Sequence, residues 1–451
     1  MVKNTLLISV ISCFAFFMGC NTASEPDVSE APFPCEDGIA DDTYPCSNVD
    51  LFAHLSVHEL AGDSTLFLND IWGWTDPQTD KEYALVGLTN GISFVDISDP
   101  ENPVVVGILP ESSLTAKYPK LSLSEYPACN LGIGTTERSK SLQEGSAWRD
   151  LKVFNDHVFV VSDAQPHGMQ VFDLTKLRNF EGESIEFSHD ALYDQLASAH
   201  NIVINEESGF AYAVGVTNAE ICGSREESGL HMIDINDPKN PTFAGCYIDS
   251  TPGNYRIAPG YIHDAQCVNY NGPDTEHNGK EICFNSAEGN VVIADVSDKE
   301  NPTTIGYKRQ VDMQYSHQGW LTEDQAYFLM NDELDEQNLG RNTKTYVWDV
   351  QDLDDPAFVG YYNHETNSID HNLYIKMNYA YETNYNSGLQ ILDISGVATA
   401  SLERVAFFDT KPNTDQVSFS GTWSNYPYFE SGIVVVSDIE DGLFILRPNL
   451  D

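Results

Sequence analysis

The feature that most constrains this chain is a phrase that recurs along most of its length. GISFVDISDPENPVVVGIL occupies residues 91–109, and close variants occupy 229–247, 289–307 and 344–362. Self-similar units of about 50 residues are typical of solenoids and propellers, because one such unit cannot bury its apolar face alone. The repeat therefore predicts an array of similar units.

Each unit predicts four antiparallel strands, because Val, Ile, Phe and Tyr alternate in short runs separated by turn residues. Seven third strands can be counted, at 92–98, 169–175, 230–236, 290–297, 345–351, 389–395 and 443–448. The seventh unit lacks its own fourth strand, whereas an unpaired strand-like run lies at 49–60. Propellers often use an N-terminal strand to complete the last blade and remove the open edge. The expected fold is all-β, a seven-bladed β-propeller closed by its N-terminal strand.

The charge of the chain limits its partners. Lys and Arg number 23 against 69 Asp and Glu, which gives a net charge of −46. Nucleic acid is excluded as a partner because repulsion opposes its approach, and we expect membrane contact only through an N-terminal lipid. Either a salt-rich habitat or the binding of hard cations such as Ca²⁺ would explain the acidity.

The N-terminus predicts export. Residues 1–19 combine Lys3 with an apolar run too short to span a bilayer, and Cys20 follows Gly19 as in a bacterial lipoprotein signal. An ordinary secretory signal cut nearby is the alternative. We expect lipidation of Cys20, an acidic tether over 20–47, and a propeller over 48–451. The resulting location is the cell surface, as an outer-membrane lipoprotein, or the extracellular medium.

Export makes disulfides plausible. Three pairings would close short loops or staple one repeat: Cys35–Cys46, Cys222–Cys246 and Cys267–Cys283. Spacing alone does not prove them, and Cys129 is left over.

The Asp that ends each third strand, with the following DP-x-NP, predicts a repeated turn, because Asp bonds its own backbone and Pro fixes φ. The spacing lacks the EF-hand pattern of a calcium loop.

The strands of the GLHMIDI type, followed by DP-x-NP, resemble LVIVD repeats. Longer phrases resemble the choice-of-anchor B family, among them RDLKVFNDHVFVVSDA (149–164), SAHNIVINEESGFAYAVG (198–215) and HDAQCVNYNGP (263–273). The resemblance covers about residues 50 to 447. It implies a bacterial surface or secreted protein held by varied anchors, here by lipid, and it implies no activity.

The openings of the seven first strands are polar. The pairs are Asn69-Asp70, Arg149-Asp150, His200-Asn201, His263-Asp264, His317-Gln318, His371-Asn372 and Ser420-Gly421. First strands are innermost in a propeller, so these residues would form a ring at one mouth of the channel, with Asp370 as a further candidate.

Three interpretations of this ring stay open. The first is a metal site, for which His200, His263, Asp264, His317 and His371 suit a transition metal and the Asp, Asn and Gln side chains suit Ca²⁺. The second is an anion or sugar site that uses Arg149 and the protonatable histidines. The third is a structural ring whose polar groups bond neighbouring blades.

Two long connections should lie at the same end as the ring. Residues 110–147 and 249–262 could bring Tyr126, Tyr255, Arg256 and Tyr261 to a ligand, although these side chains could equally pack on the surface. The acidic pairs Asp332-Glu333 and Asp335-Glu336 are expected on a solvated loop.

The sequence contains none of the common catalytic motifs, such as G-x-S-x-G or H-E-x-x-H. We therefore expect a binding or adhesion module for a surface protein or glycan. The alternative is a metal-dependent hydrolase with its site at the channel mouth.

Overall fold

A computed structural model describes residues 31–112, 114, 146–164, 166–217, 222, 229–249 and 260–450. Seven antiparallel sheets contain at least four strands each, and each sheet forms one blade. The first strands of neighbouring blades contact one another from blade 1 to blade 7 and back to blade 1, so the ring is closed. The prediction of a seven-bladed β-propeller is confirmed.

Within each blade the strands follow one another from the channel outward. Blade 1 consists of Leu68–Thr75, Glu82–Leu88, Gly91–Asp96 and Val104–Pro110. Blade 2 consists of Arg149–Phe154, His157–Ser162, Met169–Asp173 and Ala191–Tyr193. Blade 3 consists of Asn201–Asn205, Phe210–Val214, Leu230–Asp234 and Thr242–Tyr247. Blade 4 consists of Asp264–Asn269, Glu281–Ala287, Asn290–Asp295 and Thr303–Lys308. Blade 5 consists of Ser316–Leu321, Tyr327–Asp332, Lys344–Asp349 and Ala357–Asn363. Blade 6 consists of Leu373–Lys376, Tyr379–Thr383, Leu389–Asp393 and Glu403–Phe408. Blade 7 consists of Thr422–Tyr426, Val434–Asp438, Gly442–Pro448 and the N-terminal strand Val49–Leu55.

The N-terminal strand closes the ring as predicted, because Val49–Leu55 pairs antiparallel with Gly442–Pro448. The strand is shorter than the expected run of 49–60. The short helix Val57–Ala61 replaces its end, since Ser56 and Glu59 form a capping box that starts a helix.

Residues before the closing strand also belong to the propeller. Strands Ile39–Ala40 and Tyr44–Ser47 extend the outer edge of blade 6, with Cys46 opposite Phe408. These strands lie within the segment predicted as a tether, so the propeller begins earlier than the expected boundary at residue 48. They cover an edge that would otherwise present unpaired backbone groups.

The remaining short elements lie at the margins of the blades. They are the strand Ile185–Glu186, which pairs in parallel with Val104–Pro110, the helix Asp335–Leu339, and the 3₁₀ turns Leu174–Leu177 and Val397–Thr399.

The Asp at the end of each third strand makes the predicted turn. Its carboxylate accepts a hydrogen bond from the backbone N–H two residues later in six blades. The pairs are Asp96 with Ser98, Asp173 with Thr175, Asp234 with Asn236, Asp295 with Ser297, Asp349 with Gln351 and Asp393 with Ser395. This part of the repeated phrase therefore serves folding, because it fixes the path from third to fourth strand.

Four of the seven fourth strands contain a Gly, and in blades 3 and 4 this Gly permits close packing between blades. A Cβ atom on Gly245 would lie 1.8 Å from the carbonyl oxygen of Lys299, which belongs to the turn of the next blade. A Cβ atom on Gly306 would likewise lie 2.1 Å from the carbonyl oxygen of Leu353, in the turn of blade 5. The repeated turn and the repeated Gly therefore form one contact that joins consecutive blades.

The three predicted disulfides are present: Cys35–Cys46, Cys222–Cys246 and Cys267–Cys283. Cys267 and Cys283 lie directly opposite each other on the first two strands of blade 4. The predicted signal over 1–19, Cys20 and Cys129 lie outside the described residues. Among those described, no helix has the length and apolar character needed to cross a membrane.

Candidate functional site

The four predicted histidines lie side by side at one channel mouth. They come from consecutive blades, 3 to 6. Ring centroids are 4.7 Å apart for His200 and His263, 4.3 Å for His263 and His317, and 4.3 Å for His317 and His371. The repeat places the histidines together as expected, because each opens the innermost strand of its blade.

The ring nitrogens of His200 and His263 face each other and neighbouring groups of the protein. His263 Nδ1 must donate to the carbonyl oxygen of His317 at 2.8 Å, so its Nε2 accepts from His200 Nε2 at 3.0 Å. His200 Nδ1 faces a carboxylate oxygen of Asp163 at 3.0 Å. The Nε2 lone pair of His263 is therefore directed at a neighbouring imidazole.

His317 and His371 are arranged differently, because both face the carboxylate of Glu333. Their Nε2 atoms each lie 3.8 Å from Glu333 Oε1. His371 Nδ1 donates to the carbonyl oxygen of Trp423 at 2.6 Å, and Glu333 Oε1 accepts from the Tyr385 hydroxyl at 3.1 Å. A backbone carbonyl that fixes the second nitrogen is a common feature of metal-ligating histidine.

The three side chains could share one ion. His317, Glu333 and His371 are all buried, and one ligand atom from each lies within 4.8 Å of the others. Two imidazoles and one carboxylate suit Zn²⁺ or a related transition metal better than Ca²⁺, which prefers oxygen alone. His200, His263 and Asp264, which were predicted as ligands, lie outside this group.

Burial keeps these imidazoles neutral. It lowers the pKa of His371 to about 4, and it lowers the pKa of His317 well below the ordinary value, with a further contribution from the neighbouring histidines. The pKa of His263 is lowered for the same reasons. A neutral imidazole is the form that binds a metal.

The expectation of a solvated acidic loop at 332–336 is wrong. Asp332 and Asp335 are 0% exposed, Glu336 is 1% exposed and Glu333 is 8% exposed. The blade topology could have predicted this burial. In an antiparallel blade the end of the second strand lies beside the start of the first strand, and here Asp332 pairs with Ser316. Residues after the second strand therefore reach the same mouth as His317.

The predicted carboxylates Asp70 and Asp150 form a separate network around Lys152, which the sequence did not predict. Lys152 Nζ lies 2.5 Å from Asp150 Oδ1 and 3.0 Å from Asp70 Oδ2. Burial alone would lower the pKa of Lys152, but the two carboxylates hold it well above its usual value. The other oxygen of Asp150 accepts from Ile202 N at 2.7 Å, so this network joins blades 1, 2 and 3.

Asp264 lies near this network rather than near the metal group. Burial raises its pKa to about 7, and Oδ1 accepts from the backbone N–H of Ala265 at 2.7 Å. Asp264 therefore titrates near neutral pH.

Several predicted ring residues join neighbouring blades. The Gln318 side chain accepts from Leu373 N at 2.8 Å and donates to Leu373 O at 2.9 Å. Asn201 donates to the His263 carbonyl oxygen at 3.1 Å, and Asn69 donates to that of Ala147 at 3.4 Å. The structural interpretation applies to these amides.

The other predicted positions lie away from the metal group. Arg149 is buried between blades 1 and 2, where its side chain bonds the Leu88 carbonyl oxygen and His167 Nε2. Burial lowers the pKa of Arg149 to about 10. Asn372 is buried and its carbonyl oxygen accepts from Thr383 N, whereas Ser420 bonds Glu440.

Only one of the four loop residues expected near a ligand can be placed. Tyr126, Tyr255 and Arg256 lie outside the described residues. Tyr261 is 2% exposed, so it packs within the protein.

A cavity at the opposite end of the channel was not predicted. Its volume is about 430 Å³, and its lining includes Trp72, Trp320, Tyr426, Tyr428 and Lys152. The first strands run through the channel, so residues at their far ends line the other mouth.

A second possible ligand group is peripheral. His277 Nε2 lies 3.1 Å from Asp354 Oδ2 and 3.9 Å from Asp274 Oδ2. Lys280 Nζ lies 3.1 Å from His277 Nδ1, and this positive charge disfavours a cation there.

Comparison with known proteins supports the fold and the repeat. The LVIVD repeat family matches residues 81–110 and 371–403, which lie in blades 1 and 6. The chain is thus a β-propeller in which two blades match the LVIVD repeat. A comparison with curated proteins finds no significant match.

Solved structures similar to this chain share little sequence with it. The β-propeller domain of Cps50 (Swd1) from Myceliophteria thermophila is 10% identical, with a TM-score of 0.50, over 84% of this chain and 97% of that one. A protein from Lactobacillus plantarum is 10% identical, with a TM-score of 0.47, over 83% and 88%. The designed Ika8 protein is 8% identical, with a TM-score of 0.46, over 84% and 83%. At such identity the likeness to Cps50 shows the fold alone.

Proposed function

We propose that this protein is an exported β-propeller binding module that holds a divalent transition metal at one channel mouth. The observation that carries the proposal is the convergence of His317, Glu333 and His371 on one point. Buried carboxylates and imidazoles commonly serve as metal ligands, and these three side chains each offer a ligand atom to one ion.

Three disulfides support export, since such bonds persist in oxidising compartments. The resemblance to the choice-of-anchor B family, together with Cys20, supports attachment by lipid at the cell surface. The ligand class that suits this location is a surface protein or a glycan, recognised by the loops around the channel mouth.

A metal-dependent hydrolase is the second candidate function. Three protein ligands leave a fourth position of a tetrahedral site open, which is the arrangement of catalytic rather than structural zinc sites. A metal bound there would lower the pKa of a coordinated water.

The test begins with metal content. The protein, purified without a tag, is freed of metal by chelation and titrated with Zn²⁺ and Co²⁺, using calorimetry and the visible Co²⁺ spectrum. We expect one tight site, and His371→Ala should weaken it at least a hundredfold. The matched control is His58→Ala, because His58 is exposed on the helix Val57–Ala61.

Equal binding by His371→Ala and the wild type, or no stoichiometric binding by the wild type, would overturn the metal site. If the metal binds, hydrolysis of ester and phosphoester probes by the zinc-loaded protein favours the hydrolase, provided that His371→Ala abolishes it. Binding without hydrolysis leaves the binding module. Labelling with a radioactive fatty acid, compared between the wild type and Cys20→Ser, tests the lipid anchor.

A further inference from the structure

A second group of carboxylates is buried beside the metal group, between blades 5 and 6. Asp332, Asp335 and Asp370 are 0% exposed and Glu336 is 1% exposed. Asp370 Oδ2 accepts from the backbone N–H of Asp332 at 3.3 Å, which links the two blades. Three of the four residues of this cluster lie on the short segment that also carries Glu333.

Several oxygens of this cluster make no well-formed hydrogen bond to any residue that the structure describes. They are both carboxylate oxygens of Glu336, Asp335 Oδ1 and Asp370 Oδ1, and the carboxyl groups of Asp335 and Glu336 interact with each other. Asp332 differs, because its two oxygens accept from the backbone N–H groups of Gln314 and Tyr315, at 2.6 Å each. A buried oxygen without a hydrogen-bond partner destabilises the folded state unless something else satisfies it.

The uncharged side chain of Asn331 is a further buried group that a bound ligand would satisfy. Asn331 is 0% exposed and its side-chain amide interacts with the carboxyl group of Asp370, whereas its Oδ1 atom accepts no hydrogen bond from the described part of the chain. An amide oxygen is a common ligand of Ca²⁺, whereas it gains nothing from a neighbouring carboxylate alone.

Few positively charged side chains lie beside the cluster. Arg341 Nη1 lies 3.4 Å from Asp335 Oδ2, and the Tyr346 hydroxyl donates to the same oxygen at 3.0 Å. The ammonium group of Lys344 also acts on Asp335. These two cations cannot offset four buried carboxylates, so protons or a bound cation must supply the difference.

We propose that Asp335, Glu336, Asp370 and Asn331 bind a hard divalent cation, for which Ca²⁺ is the best candidate. All the available donors are oxygens, which Ca²⁺ selects and which zinc does not require. Ca²⁺ also tolerates irregular geometry, whereas Mg²⁺ demands a near-ideal octahedron. This site is separate from the histidine group and goes beyond the proposed function.

A cation bound in this cluster would also affect the neighbouring histidine group. Glu333 lies between Asp332 and Asp335, and Asp370 immediately precedes His371. A cation that joins these two segments would hold Glu333 and His371 at a fixed separation.

Terbium luminescence tests the site, because Tb³⁺ replaces Ca²⁺ and Tyr346 is close enough to sensitise it. The full chain is titrated with Tb³⁺ in excess Mg²⁺, which suppresses weak binding to surface carboxylates, and Ca²⁺ is then added as competitor. We expect one saturable site that Ca²⁺ displaces. Glu336→Gln should weaken it at least tenfold, while Glu300→Gln, at an exposed turn position, should leave it unchanged.

A second measurement covers the case in which Glu336→Gln does not fold. Ca²⁺ at millimolar concentration should raise the melting temperature of the wild type by several degrees, and Asp370→Asn should reduce that rise. No rise for the wild type, or equal Tb³⁺ affinity in Glu336→Gln and Glu300→Gln, would overturn the proposal and leave protons as the neutralising groups. His371→Ala separates the two sites, since it should remove zinc binding and preserve the terbium signal.

Discussion

The Nδ1 atom of His371 lies 2.6 Å from the carbonyl oxygen of Trp423, a residue of the first strand in the next blade. The bond requires an N–H at Nδ1, so the lone pair of His371 is at Nε2, which faces Glu333. His263 makes the same kind of bond to the next blade, but its Nε2 faces His200. One repeated contact thus orients both rings, and the neighbour at Nε2 decides which ring can bind a metal.

This difference predicts unequal effects within the histidine row. His317→Ala should lower zinc affinity at least a hundredfold, whereas His263→Ala should change it by less than about fivefold. His263→Ala should instead lower the free energy of unfolding by about 1–3 kcal/mol, because it removes a buried side chain and its hydrogen bonds. Zinc titration and denaturant unfolding of both variants check this division. Equal losses of zinc affinity would show that the metal uses the whole row.

The repeat predicted the fold well because one contact is encoded again and again along the chain. The turn Asp recurs in six blades, and several of these also carry the following Pro and the fourth-strand Gly, so the local requirements of a blade are visible in the sequence. Position equivalence also placed the histidines correctly. The sequence could not show which of them suit a metal, because that depends on the neighbour that each Nε2 atom faces.

Glu333 and Lys152 show why the rest was missed. Glu333 follows a second strand, in a stretch whose high charge is ordinarily a sign of solvent exposure. Lys152 lies inside a first strand, and it is stable there because Asp150 of its own strand and Asp70 of another blade both pair with it. Such compensation between distant residues leaves no local pattern.

Gln318 provides a test of the structural part of the ring. Gln318→Ala removes two hydrogen bonds to Leu373, whose backbone N–H and carbonyl would lose their partner inside the protein. We expect the free energy of unfolding to fall by about 2–4 kcal/mol. Gln351→Ala is the control, because Gln351 makes its bonds at an exposed turn, and its effect should stay within about 0.5 kcal/mol. Urea unfolding measures both, and a similar small loss in each would refute the bridging role.

Gly245 tests the contact that joins consecutive blades. Gly245→Ala would place a Cβ atom 1.8 Å from the Lys299 carbonyl oxygen, so backbone must move. We expect destabilisation of about 3 kcal/mol, as for other overpacked sites. Thr242→Ala on the same strand is exposed and should be nearly neutral. If thermal unfolding shows the two variants to be alike, the close approach does not limit the sequence at this position.

The buried carboxyl of Asp438 predicts how stability depends on pH. Burial raises its pKa to about 7, well above the ordinary value for Asp, although Lys411 and the Thr410 hydroxyl oppose the rise. The folded state therefore holds this proton more tightly than the unfolded state. The stabilisation is complete below about pH 4 and is lost as pH rises toward 7.

Asp438→Asn should remove this dependence, since an amide keeps the acceptor oxygen without titrating. Between pH 4 and 7 the wild type should lose up to about 1.4 kcal/mol of stability per pH unit relative to the variant, because that slope corresponds to one bound proton. Guanidinium unfolding at half-unit steps of pH measures the difference, with Glu300→Gln as a control that should follow the wild type. Parallel curves for Asp438→Asn and the wild type would show that Asp438 is ionised in the folded protein, with Lys411 as its counter-charge.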